Sequence, residues 1–183
     1  MEITRQFVLV FTFVFGPLVL ASYAYGASHA DRPADLWGGI PPSWQGYIVP
    51  FMFLAAIGFL IYWYTVFFHL DEASVESLRW PWGNSDGEGG ARLLLSLSLI
   101  LIPSALWMES TIFHLENEYS WTPVLVIGML FLTSVGNLML GLLGFSAYQD
   151  GVDGAGLMII GSVMLGVQCI LNDFFIWVYK FPW

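Results

Sequence analysis

Five long apolar runs alternate with polar stretches along the chain, and this alternation predicts the architecture. The runs cover about residues 7–25, 47–68, 92–110, 122–148 and 155–178. Each approaches or exceeds the roughly 20 mostly apolar residues that a membrane-crossing helix needs. Gly16-Pro17 predicts a kink in the first span and Pro103 a bend in the third. Thr122-Pro123 opens the fourth with proline in the first turn, a good helix start. The expected fold class is all-α: a polytopic integral membrane protein, five transmembrane helices in one bundle, with residues 1–183 forming a single domain. Phe7 to Leu20 also has the length of a signal-peptide core, with Ser28-His29-Ala30 as a small-residue cleavage site. The residues before Phe7 carry no net positive side-chain charge, so the run is read as a retained span.

The polar stretches differ in kind. Residues 26–46 form a loop rich in Pro, Gly and Asp that also carries Trp37 and Trp44. Connectors this long are usually functional or disordered, and two indoles argue against disorder. The loop is expected to fold back over the mouth of the bundle. Residues 69–91 form a polar linker with a Trp80-Pro81-Trp82-Gly83-Asn84 turn and a flexible acidic stretch over 85–90. Residues 149–154 make a short turn, and Tyr179 to Trp183 an interfacial anchor. Small residues on the last two spans, among them Ser134, Gly136, Gly144, Gly161 and Gly166, allow close helix approach.

Composition supports the membrane reading and narrows the partners. The chain is 57% hydrophobic and 10% charged, with a mean hydropathy of +0.72. Soluble domains carry about 25% charged residues, so most of this surface must face lipid. A formal charge of −9 argues against nucleic acid and against anchoring on anionic lipid, since both require Lys and Arg. Arg5, Arg79 and Arg92 share one side of the five-span topology, and Arg32 and Lys180 the other. That bias leans towards an N-terminus inside but is too small to set orientation. Nine Trp suit either the bilayer interface or an aromatic pocket. The single Cys169 permits neither an internal disulfide nor a cysteine-based metal site.

Candidate chemistry is sparse. His69, Glu72 and Glu76 fall at i, i+3 and i+7, while His114 and Glu116 lie near Glu109, with His29 able to join them from the loop. Topology separates the two groups by about a bilayer thickness, roughly 30 Å, and neither has a diagnostic zinc or di-iron spacing. No Gly-x-Ser-x-Gly, His-Glu-x-x-His or phosphate loop occurs. Asp150 to Gly154 is too short for an EF-hand. No catalytic residue, metal ligand or cofactor is therefore assigned, and a non-enzymatic role is favoured. Asn137, Gln168, Asn172 and Asp173 stand out as polar groups inside apolar spans. Such groups should turn inward and are functional-site candidates, although Asp173 lies near enough to the interface to be wetted.

Several short motifs resemble the translocator protein / tryptophan-rich sensory protein family. Arg32-Pro33 followed by Pro41-Pro42-Ser43-Trp44 is similar to that family's Lys-Pro-x-Trp-x-Pro-Pro region before helix two. Ala105-Leu106-Trp107, Ile112-Phe113 and Trp121 are similar to its Trp-x-Pro-x-Phe-Phe and following Trp. Leu171-Asn172 and Ile176-Trp177 are similar to its Leu-Asn-x-x-x-Trp ending, here one residue longer. Met108-Glu109 stands where the family has its proline, and the linker between spans two and three is longer. The resemblance implies a five-helix bundle with a pocket for porphyrins, sterols and related hydrophobic ligands. Trp37 and Trp44 would roof it, Trp107 would wall it, and Asn172 and Trp177 would contribute from the last span. The expected function is binding of a hydrophobic or flat aromatic molecule, as a sensor or transporter-like protein. The partners are then lipid, that small molecule and a second copy or a membrane complex. A small accessory subunit of a larger membrane complex is the alternative, consistent with the lack of a catalytic set and with the small-residue and aromatic helix faces.

Overall fold

The structure is a computed structural model that describes residues 3–183. Among these residues it is all-α, and five helices are long and apolar enough to cross a membrane. They are α1 (Arg5–His29), α2 (Pro42–His69), α4 (Gly89–Asn117), α5 (Thr122–Gln149) and α6 (Ala155–Lys180). A short α3 (Glu72–Glu76) follows α2, and a 3₁₀ turn (Pro33–Trp37) lies in the first loop. The helices close around the bundle in the order α1, α4, α5, α6, α2, so neighbours in sequence are not always neighbours in space.

All five spanning helices end beyond the apolar runs and the first three of them also begin before them, because caps and turns set their ends and hydropathy does not. Thr4 caps α1, its hydroxyl accepting the Phe7 N–H at 3.3 Å. Pro42 and Pro123 occupy first-turn positions of α2 and α5, where a missing N–H costs nothing. α4 continues through Leu115, which packs against the cluster beneath the first loop, and stops at Glu118, whose φ of 50° ends the helix. The loop expected over 26–46 is therefore only 30–41. α1 and α4 run on as helices through Pro17 and Pro103.

Two apolar clusters hold the bundle. One, near the linker, is centred on Val8, Tyr62, Leu93, Leu143 and Met158. The other, beneath the first loop, contains Ile40, Ile48, Val126, Leu130, Trp177 and Phe181. Between α2 and α6 the backbones themselves touch at Gly58 and Gly161. Tyr62 adds a buried hydrogen bond, donating to the Leu140 carbonyl on α5 at 3.1 Å. The Trp63 indole N–H donates to Thr12 Oγ1 at 2.8 Å and ties α2 to α1.

The linker, expected to be flexible over 85–90, is instead pinned. Arg92 makes two bonds to the Asp86 carboxylate, at 2.8 and 2.6 Å, and a third to the Leu78 carbonyl. Arg79 grips Asp150 in the α5–α6 turn at 2.9 and 2.7 Å and also donates to three linker carbonyls. Leu78 and Val75 are buried against the bundle. Hydrogen bonds from Arg92, with help from the Glu88 backbone N–H, hold the Asp86 carboxyl at about 2. The same effect from Arg79 lowers Asp150. A depressed folded-state value means that the Asp86 pair stabilises the linker above the unfolded value of about 3.9. That contribution fades as pH falls towards about 2. Carbon-13 NMR titration should find Asp86 near 2 in the native protein and shifted up towards the ordinary carboxylate value in Arg92→Ala, where the Glu88 N–H remains. An unshifted native value would contradict the pairing.

Candidate functional site

At the loop end of the bundle, α1, α2, α4 and α6 enclose a cavity of about 270 Å³. Helix periodicity assembles most of the wall. Tyr23 and Ala27 are four apart on α1, as are Ile48 and Met52 on α2. Trp107 and Met108 come from α4, and Pro33, Leu36, Trp37 and Ile40 from the loop that covers the top. Ala27 and Met52 are exposed, so the open side lies between α1 and α2.

The fourth wall depends on a change of helix type. Over Val167–Trp177, α6 widens to π-type i→i+5 bonding. Residues four and five apart then stack, which brings Gln168, Asn172, Asp173 and Trp177 onto the cavity together. In a regular α-helix, residues five apart would differ by about 140°, and Asp173 would turn away from Gln168. Instead Asn172 Nδ2 donates to Gln168 Oε1 at 3.0 Å, and Gln168 Nε2 donates to Asp173 Oδ1 at 2.7 Å. The carboxylate sets the direction of this chain, because it can only accept. Gln168 and Asn172 are buried. Asp173 Oδ2 receives no hydrogen bond, and no Lys or Arg pairs with Asp173 among the described residues.

The apolar part of the wall is aromatic. Trp107 packs edge-on to Trp177, centroids 5.4 Å apart at 72°, and Tyr23 packs against Trp107 at 6.0 Å. Trp177 continues into Phe181 at 4.5 Å, and its indole N–H donates to the Leu36 carbonyl at 3.0 Å. One side chain of α6 thus serves as both wall and fastener for the loop. Among the described residues the Trp107 indole N–H is buried without a hydrogen-bond partner, a condition that costs about 1–3 kcal/mol.

Of the expected pocket residues, Trp37, Trp107, Asn172 and Trp177 line this cavity. Trp44, expected to roof it, does not. Because α2 starts at Pro42, Trp44 sits in its first turn, half exposed, with Lys180 Nζ 5.4 Å from its ring centroid. Asp173, expected close enough to the interface to be wetted, is partly exposed and lines the cavity. Gln168 was recognisable as an intramembrane polar residue, whereas Tyr23, Ile48 and Met52 carry no sequence signal that separates them from lipid-facing neighbours.

The histidines are dispersed. His29 lies 3.5 Å from Glu109 at the rim, and His69 lies 3.3 Å from Asp153 at the opposite end. His114 is buried, its Nδ1 2.7 Å from Thr122 Oγ1, with the Phe181 and Trp183 rings about 5.5 Å away. Thr122 spends its proton on the Tyr119 carbonyl, so the His114 Nδ1–H must be the donor of that pair. Among the described residues no three His, Cys, Asp or Glu side chains are grouped to hold a metal. Glu116 lines a separate rim depression with Asp31, Arg32 and Asp35, where Arg32 and Asp35 pair at 3.1 Å. Comparison with known proteins places the chain beside none of them: no family model, curated protein or solved structure matches it.

Proposed function

We propose that this chain is an integral membrane protein that binds a hydrophobic or flat aromatic molecule in the cavity between α1, α2, α4 and α6. The observation that carries the reading is the wall itself. Three indoles and a tyrosine ring surround a few convergent polar groups, the usual make-up of a small-molecule site. Its volume, about 270 Å³, lies just below the range of about 300–1,000 Å³ usual for such sites. A ligand the size of an aromatic side chain or larger buries about 200 Å². That contributes about 5 kcal/mol before the costs of binding. The opening between α1 and α2 supports access from the lipid. The loop over the bundle end and the tryptophans of α4 and α6 are in keeping with the resemblance to the translocator protein / tryptophan-rich sensory protein family, and a porphyrin or sterol belongs to the same proposal.

Tryptophan fluorescence reads the site directly, because Trp37, Trp107 and Trp177 border it. Titration of the purified protein with protoporphyrin or with a small fused-ring aromatic should quench it saturably at one site per chain. Trp44→Ala should leave the dissociation constant unchanged. Quenching that rises linearly with probe, as collisional quenching does, would overturn the reading.

A further inference from the structure

The cavity holds an acid, Asp173, with no counter-ion among the described residues, and this points to the charge of the ligand. Every Lys and Arg among the described residues is engaged elsewhere. Arg79 and Arg92 are locked to Asp150 and Asp86 at the far end of the bundle, and Arg5 donates to the Leu70 carbonyl there. Arg32 pairs with Asp35, and Lys180 lies over the Trp44 and Tyr179 rings. A carboxylate inside an apolar span is costly unless it meets a partner, and such groups mark binding sites. Here the protein fills half of the carboxylate. Gln168, itself held by Asn172, donates to Oδ1 and leaves Oδ2 without a bond. The walls include the indoles of Trp37, Trp107 and Trp177, and aromatic quadrupoles attract cations. The nearby rim carries Asp31, Asp35, Glu109 and Glu116, and the chain as a whole has a formal charge of −9. Both raise the local concentration of cations and depress that of anions.

We propose that the cavity selects a cationic aromatic or amphiphilic molecule, its ammonium or amidinium N–H donating to Asp173 Oδ2 while its apolar body lies against Trp107 and Trp177. This inference rests on the cavity being a ligand site and adds the charge of what enters it. Gln168, donating to Oδ1, orients the carboxylate for that bond. Neutral or anionic ligands forgo the ion pair, and an anion would also face the rim.

The test uses three probes of nearly one shape on the full chain in a non-ionic detergent at neutral pH. They are 9-aminoacridine, a cation under these conditions, acridine, which is neutral, and acridine-9-carboxylate, an anion. The wild type should bind the cation about tenfold or more tighter than acridine and the anion more weakly than either. Asp173→Asn, which keeps the size of the side chain, should bind 9-aminoacridine and acridine alike, and Asp173→Glu should retain the preference. Equal affinity of the wild type for cation and neutral ring would overturn the charge inference and leave the ligand site standing. A preference that survives in Asp173→Asn would overturn the assignment to Asp173. Failure of all three probes to bind saturably would overturn the ligand site and the charge inference together. The wild-type comparison needs no variant, so a poorly folding Asp173→Asn does not shield the proposal.

Discussion

Gly58→Leu is expected to prevent α2 from seating on α6. A Cβ on Gly58 would lie 2.6 Å from the Gly161 carbonyl oxygen, 2.6 Å from Met164 Cβ and 3.0 Å from the Leu165 nitrogen. The contact is reciprocal: a Cβ on Gly161 would lie 2.6 Å from the Gly58 carbonyl and 3.0 Å from the Tyr62 nitrogen. Most of these are backbone atoms, so no rotamer change relieves the clash and the helices must separate. Overpacking of a core costs about 1–3 kcal/mol, and more where nothing can yield. A loss of about 3 kcal/mol corresponds to a fall in Tm of about 10 °C for a chain of this size. Gly156→Leu, at a position with no atom within 4 Å of the added Cβ, should stay within a degree or two of wild type. Thermal unfolding in detergent separates the two. Equal melting of both variants would mean that α2 and α6 are not in backbone contact.

Trp177→Ala has the second large effect, and it acts at two places. The side chain is buried among Trp107, Phe181 and Trp183, and its N–H is the fastener of the first loop at Leu36. Truncating a buried tryptophan costs about 3–5 kcal/mol, and here the cavity would lose a wall as well. Trp177→Phe separates the roles. It keeps most of the packed ring and removes only the hydrogen bond, for about 1 kcal/mol. Amide hydrogen exchange over residues 33–41 should accelerate in both variants, while saturable ligand quenching should disappear only in Trp177→Ala. Unchanged exchange in Trp177→Phe would show that the loop is held by other contacts.

The number and class of the helices were legible in the sequence for a physical reason. Backbone groups in lipid must be satisfied within the helix, so each span shows itself as a long apolar run. Helix ends were not legible in the same way. α4 runs past the polar residues that suggested its end at 110, because the bilayer limits hydropathy while Glu118 limits the helix. That difference moved Trp44. As a loop residue it could roof the cavity, but in the first turn of a helix beginning at Pro42 it sits under Lys180. The polar wall shows a deeper limit. Gln168, Asn172 and Asp173 stand out as polar residues in an apolar span, yet only the π-widening of α6 turns all three onto one face. Nothing in the residue pattern announces that widening. The linker misled because it is rich in Gly and acid. Its order comes from Arg79 and Arg92, whose partners lie up to 71 residues away or within the linker itself.

If a ligand occupies the cavity beneath the first loop, blocking that space must displace it. Ala27 lines the open side and is exposed, so Ala27→Trp should fill the mouth without disturbing the packed helices. Titration of wild type and Ala27→Trp with 9-aminoacridine, followed by the fluorescence of the probe, gives the answer. Saturable binding at one site per chain in the wild type, weakened about tenfold or more in Ala27→Trp at unchanged Tm, is the predicted result. Equal binding by the two proteins would contradict it.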